Sequence, residues 1–126
     1  GYYPFRAQGQ IPRLLCEYLQ LPYHDRFFDP DSWQEFKRIQ QDNHPIMDLP
    51  FLIDGDFFTT GSAAIVTYLI CKANREDLLG RTIVEKMKID SIRSRCDVRN
   101  TLIGAACSNR PSCPIENKKC MQTIGS

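Results

Sequence analysis

The sequence predicts an α/β domain over residues 1–74, followed by a linker and one long helix over 75–107, and three observations carry that prediction. Two short apolar runs, 51–53 and 57–60, flank Asp54-Gly55-Asp56, the pattern of a β-hairpin whose Gly55 takes positive φ. Directly after them, a run starting at Ser62 and ending near Ala73 is apolar on most faces and reads as a buried helix. Well before them, Ile11, Leu14, Leu15, Tyr18 and Leu19 recur at steps of three and four. That spacing predicts an amphipathic helix over 11–21, with Pro12 suited to its first turn.

The elements between these landmarks follow in order. Residues 23–28 read as a short strand, and 31–41 as a polar, helical connection holding Trp33, the sole tryptophan. Residues 43–48 form a loop, which suits the proline before Ile46. Ser62 is expected to cap the apolar helix with its hydroxyl. Residues 74–81 are a polar linker. Thr82-Ile83-Val84-Glu85 has capping-box spacing and opens a helix to about Ala106. That helix carries Met87, Ile89, Ile92, Leu102 and Ile103 and needs a partner surface, part from the first domain and part from another chain. From 108 to 126 the chain has two prolines and no periodicity, and reads as a tail.

Composition narrows the functional classes. A chain of 126 residues with 42% hydrophobic content can build a real core. With 16 basic and 15 acidic residues the net charge is +1, so neither nucleic acid nor an anionic membrane surface is an expected partner. No apolar stretch approaches the length of a membrane span. The start, G-Y-Y-P-F-R, shows no secretory pattern, and Phe5 breaks the myristoylation pattern. An initiator Met is absent from the sequence.

None of the six cysteines forms a C-x-x-C pair, which argues against a redox pair or a zinc ribbon. Cys16 and Cys71 fall inside apolar helical patterns and read as buried reduced thiols. Cys107, Cys113 and Cys120 are open to either a disulfide or the free state, the latter favoured in an intracellular compartment. His24 and His44 lie far from the cysteines, so no metal site is expected.

Residues 48–65 offer two places where backbone groups could hold a small anion: the extended edge at Leu49-Pro50 and the helix start at Ser62. The element order helix, strand, helix, strand, strand, helix resembles a thioredoxin-like domain without its first strand. That resemblance implies a cis Leu49-Pro50 bond, which leaves the preceding backbone open to ligand pairing.

The segments G-Y-Y, R-L-L-C-E-Y-L, L-P-F-L-I-D-G and S-A-A-I, at 1–3, 13–19, 49–55 and 62–65, resemble the mu-class glutathione transferases. The likeness runs from Gly1 to about Cys107, so 1–74 would be the glutathione-binding domain and 75–107 the linker and first helix of a truncated all-α domain. By resemblance Tyr2 is the catalytic tyrosine, donating a hydrogen bond to the glutathione sulfur; a phenol donor stabilises thiolate over thiol. Tyr3 stands beside it where the family has tryptophan. Trp33 and Lys37 match residues holding the glycine carboxylate of glutathione. Leu49, before Pro50, matches the residue whose backbone pairs strand-like with the cysteinyl part, and Ser62 the one binding the γ-glutamyl carboxylate.

The match has departures. Gly61 replaces a Gln or Glu that contacts the γ-glutamyl end, and Asp48 stands where mu enzymes have Asn. Asp29, Pro30 and Asp31 fill the stretch where those enzymes carry an arginine. A short insertion precedes Leu49, and Asp97 lies near a family aspartate that reaches across the dimer. Two readings follow. One is a cytoplasmic transferase joining glutathione, its co-substrate rather than a bound cofactor, to a small electrophile, as a homodimer or a subunit of a larger assembly. The other is a non-catalytic, transferase-derived structural subunit of a complex.

Overall fold

The computed structural model describes residues 1–4 and 6–108. The hairpin forms where the turn chemistry places it: β1 (Phe51–Asp54) and β2 (Phe57–Thr60) pair antiparallel, Phe51 opposite Thr60 and Asp54 opposite Phe57. Gly55 takes φ 59° at the turn, and the Leu49-Pro50 peptide bond is cis, as the thioredoxin-like order implied.

The sheet is wider than its hairpin. Gly1 exchanges two main-chain hydrogen bonds with Phe51, donating at 2.7 Å and accepting at 3.2 Å. On the other side Tyr2 forms a parallel bridge to Phe27; its N–H donates to the Arg26 carbonyl at 3.0 Å, and its carbonyl accepts from the Phe28 N–H at 3.1 Å. Gly1 and Tyr2 thus sit as a central strand between residues 26–28 and β1. The strand expected over 23–28 is corrected to this single bridge. A ladder extends no further than its partner, and among the described residues the partner is Tyr2.

The helices differ from expectation mostly at their ends. Helix α1 (Gln10–Tyr18) is shorter than 11–21, because Gln20 turns to φ 54° and the Leu21 N–H folds back to the Cys16 carbonyl. Helix α2 (Pro30–Gln40) begins with a capping box: the Ser32 N–H donates to Asp29 Oδ1 at 2.8 Å, and the Asp29 N–H to Ser32 Oγ at 3.0 Å. Helix α3 (Ser62–Lys72) buries Ile65, Leu69 and Ile70. A 3₁₀ turn (Glu76–Leu79) leads into α4 (Ile83–Ser108), whose predicted capping box is present: Glu85 Oε2 accepts from the Thr82 N–H, and Thr82 Oγ1 from the Glu85 N–H.

Two clusters make the core. Phe28, Trp33, Met47 and Phe51 form one, with Tyr3, Phe36, Leu49 and Phe58 packed against it. Cys16, Ile65 and Leu69 form the other, between α1 and α3, with Leu15, Leu21 and Leu52 around them. Cys71 is exposed, which corrects its reading as a buried thiol: two positions past Leu69, it falls on the face of α3 turned away from α1. The tail reading, with Cys113 and Cys120, lies outside the described residues, as does the side chain of Cys107. No helix among the described residues is long and apolar enough to cross a membrane.

Candidate functional site

Tyr2 is placed by the sheet. Its N–H and carbonyl are both bonded to residues 26–28, the preceding Gly1 is bonded to Phe51 of β1, and the residue is 8% exposed. The ring rests directly on Gly9, where an added Cβ would lie 2.5 Å from Tyr2 Cδ1, so the start of α1 can approach only because that residue lacks a side chain. Arg13 closes the other side. Its guanidinium lies 5.8 Å from the Tyr2 ring centroid and 5.4 Å from that of Phe27, donates to the Tyr3 carbonyl at 3.0 Å, and pairs through Nε with Asp25. Burial raises the Tyr2 phenol above its ordinary range; a hydrogen bond from the Gln8 backbone amide and the Arg13 charge oppose that rise. The hydroxyl therefore keeps its proton at neutral pH and can donate it. Tyr3 is half-buried beside it, ring centroids 5.6 Å apart.

The extended edge is held from β2. Thr60 Oγ1 lies 2.6 Å from the Asp48 carbonyl and 3.0 Å from the Pro50 carbonyl, which also accepts from the Gly61 N–H at 2.9 Å. The Leu49 N–H points to Asp48, donating to its Oδ1 at 2.9 Å.

Helix α3 starts immediately beyond. Its N-cap is Gly61 at φ 87°, and no side chain caps it. This corrects the expectation for Ser62, which is the first helical residue rather than the cap. Helical geometry leaves the N–H groups of the first turn without intrahelical acceptors, a positive end suited to a carboxylate. A Cβ built at Gly61 would meet nothing within 4 Å.

Trp33 lies beneath the Leu49-Pro50 edge, in the cluster against which Tyr3 and Leu49 pack. The indole is 4% exposed, stacked on Phe51 with centroids 6.1 Å apart and edge-on to Phe28 at 5.5 Å. Lys37 is half-buried, its Nζ 5.8 Å from the indole centroid. The structure thus brings Tyr2, Tyr3, Leu49, Pro50 and Ser62 to one end of the sheet, linked through Gly1, Phe51 and Gly61, and seats Trp33 in the core with Lys37 above it.

Sequence reasoning missed Gly9, Arg13, Asp25 and Thr60. Their signal is weak, because each acts through residues distant in sequence. A cavity of about 360 Å³ lies between α1, residues 21–25, β1 and α3. Of the candidate residues it takes only Tyr2 and Pro50, and Cys16, Leu52, Ile65 and Leu69 give it an apolar wall, so it is a different space from the polar edge at Leu49 and Ser62.

Comparison with known proteins places the chain in a family. The family described as "Glutathione S-transferase, N-terminal domain" matches residues 7–77. Glutathione S-transferase 2 of Gallus gallus is 35% identical over 102 residues, covering 75% of this chain and 44% of the relative. Glutathione S-transferase Mu 1 of Homo sapiens is 29% identical over 115 residues, covering 86% and 51%. The class-mu 26 kDa isozyme of Schistosoma mansoni is 34% identical over 95 residues, covering 73% and 41%. The chain spans about half the length of these relatives. On the family match and the thioredoxin-like fold together, the chain belongs to the glutathione S-transferase family through its N-terminal domain, with mu-class enzymes among its relatives.

Proposed function

We propose that this chain is the glutathione-binding part of a cytoplasmic transferase that joins glutathione to a small electrophile. The observation that carries the reading is the Tyr2 phenol, buried and protonated, at the sheet end that also holds the cis Leu49-Pro50 edge and the start of α3. Glutathione lies along that edge, its γ-glutamyl carboxylate at the first turn of α3 beside Ser62 and its cysteinyl backbone paired with Leu49. Its glycyl end points toward α2, where Lys37 supplies a positive charge. The thiol gives up its proton to solvent, and the Tyr2 O–H donates a hydrogen bond to the resulting thiolate. The sulfur then forms a bond to the electrophilic carbon as the leaving group departs with its electron pair.

Glutathione enters as a substrate and leaves as its conjugate, with no bound cofactor in the scheme. Assembly as a homodimer or within a larger complex accompanies this reading: Ile83, Val84, Met87, Ile92, Val98 and Leu102 on α4 are each more than half exposed, apolar area that a partner surface would cover. The alternative of a non-catalytic subunit draws no support from the relatives, which are named as transferases. Calorimetric titration with glutathione, followed by conjugation of a chlorinated dinitrobenzene with Tyr2→Phe as the control, tests the proposal. Absence of binding at millimolar glutathione would sink it.

A further inference from the structure

We infer that Asp48 sets the specificity of the Leu49 edge, turning it away from peptides with a free C-terminal carboxylate and toward thiol peptides whose C-terminus is an ester or amide. The inference rests on the glutathione reading above and concerns the same site.

An extended peptide pairs with an edge by giving a carbonyl to its N–H and an N–H to its carbonyl. Here the Leu49 N–H already donates to Asp48 Oδ1 at 2.9 Å. A ligand carbonyl must displace a carboxylate, a stronger acceptor than itself. The Asp48 carbonyl accepts from Thr60 Oγ1 at 2.6 Å, which holds the backbone that carries this carboxylate.

The direction of the edge then decides which part of the ligand meets the charge. Pro50 is joined to Gly61 at the start of α3, whereas Met47, the residue before Asp48, is buried in one cluster with Trp33 of α2. A peptide whose amino-terminal carboxylate sits at α3 therefore lays its C-terminal residue beside Asp48. On α2 the Lys37 Nζ lies 5.8 Å from the Trp33 ring centroid, and the Arg26 guanidinium 4.3 Å from that of Phe36. A free C-terminus laid there brings a second negative charge beside Asp48, and a blocked one does not.

The test is calorimetric titration of the whole chain with glutathione and with its glycyl ethyl ester, repeated on Asp48→Asn and Asp48→Ala. The unaltered protein should bind the ester about tenfold more tightly, the size of one charge-assisted hydrogen bond at the weak end of its range. Both variants should gain roughly tenfold for glutathione and lose most of the preference for the ester, Asp48→Ala also freeing the Leu49 N–H. If the variants do not fold, the unaltered protein still decides the matter, since raising the ionic strength should narrow its preference. Equal binding of the two ligands, or tighter binding of glutathione, by the unaltered protein overturns the inference while leaving the transferase reading intact. No binding of either ligand to any form removes both.

Discussion

The two ends of the candidate site are built differently. At the sulfur end every part is fixed: Tyr2 is held in the sheet, its ring is pressed on Gly9, and Arg13 ties the neighbouring Tyr3 carbonyl to Asp25. At the proposed carboxylate end the frame is equally well held, by Thr60 and the start of α3, but beside Ser62 and Lys37 stand a glycine with no side chain to offer and an aspartate of the wrong charge. Position and contact are therefore separable properties. On the proposed reading the backbone frame is held along the whole site, while the side chains suit an anionic ligand less well at its carboxylate end.

Four substitutions break or sharpen this contrast. Tyr2→Phe should have the largest effect, lowering the conjugation rate about 10²-fold by removing one donor to a developing anion, with little change in glutathione affinity by calorimetry. Gly9→Ala should lower stability by about 2 kcal/mol, because the methyl group collides with the Tyr2 ring and the packing must give; chemical denaturation measures this, and a rate loss alongside would show that the ring's seat sets the hydroxyl. Gly61→Gln should move the other way in binding, tightening glutathione about tenfold through one added hydrogen bond. It should cost about 2 kcal/mol of stability, since φ 87° with ψ 132° is strained for any side chain even with open space around it.

The smallest effect belongs outside the site. Hydrogen bonds from Lys72 and then Tyr68 hold the Asp54 carboxyl below the usual carboxylate range. A depressed pKa in the folded state means that this stabilisation is present above the unfolded carboxylate value and is lost as pH falls through the folded one. Asp54→Asn should accordingly flatten the acid side of a melting-temperature profile slightly and leave conjugation unchanged. A large loss there would show that the hairpin turn is coupled to the site more strongly than the contacts imply.

Much of the frame was legible because its signals are local. Asp54-Gly55 announced the hairpin, Thr82 and Glu85 announced the start of α4, and the Leu-Pro step led to the cis bond through the element order. The misplaced features depend on partners that a sequence does not display. Residues 23–28 look like a strand, but how much of a strand forms is set by Tyr2. The Ser62 hydroxyl looked like a cap because the glycine before it offers no side chain to compete, yet the helix begins one residue earlier than a serine cap requires. Asp29 and Ser32 make a capping box with serine in place of the usual Glu or Gln, a form the common sequence pattern does not cover. Arg13 sits in an apolar helical pattern whose periodicity says nothing of the carbonyl and carboxylate it reaches.

The Thr60 hydroxyl has one proton and two carbonyls within reach, those of Asp48 and Pro50. The loop before β1 thereby belongs to the same cooperative unit as the last residue of β2, and neither can open alone without abandoning a shared donor. In hydrogen-exchange terms, the Gly61 amide, bonded to the same Pro50 carbonyl, should exchange only when the hairpin itself opens, whether or not a ligand is bound. The shape of the edge at Leu49-Pro50 is in this sense a by-product of hairpin stability, set by the Thr60 and Gly61 bonds rather than by the side chains upon it.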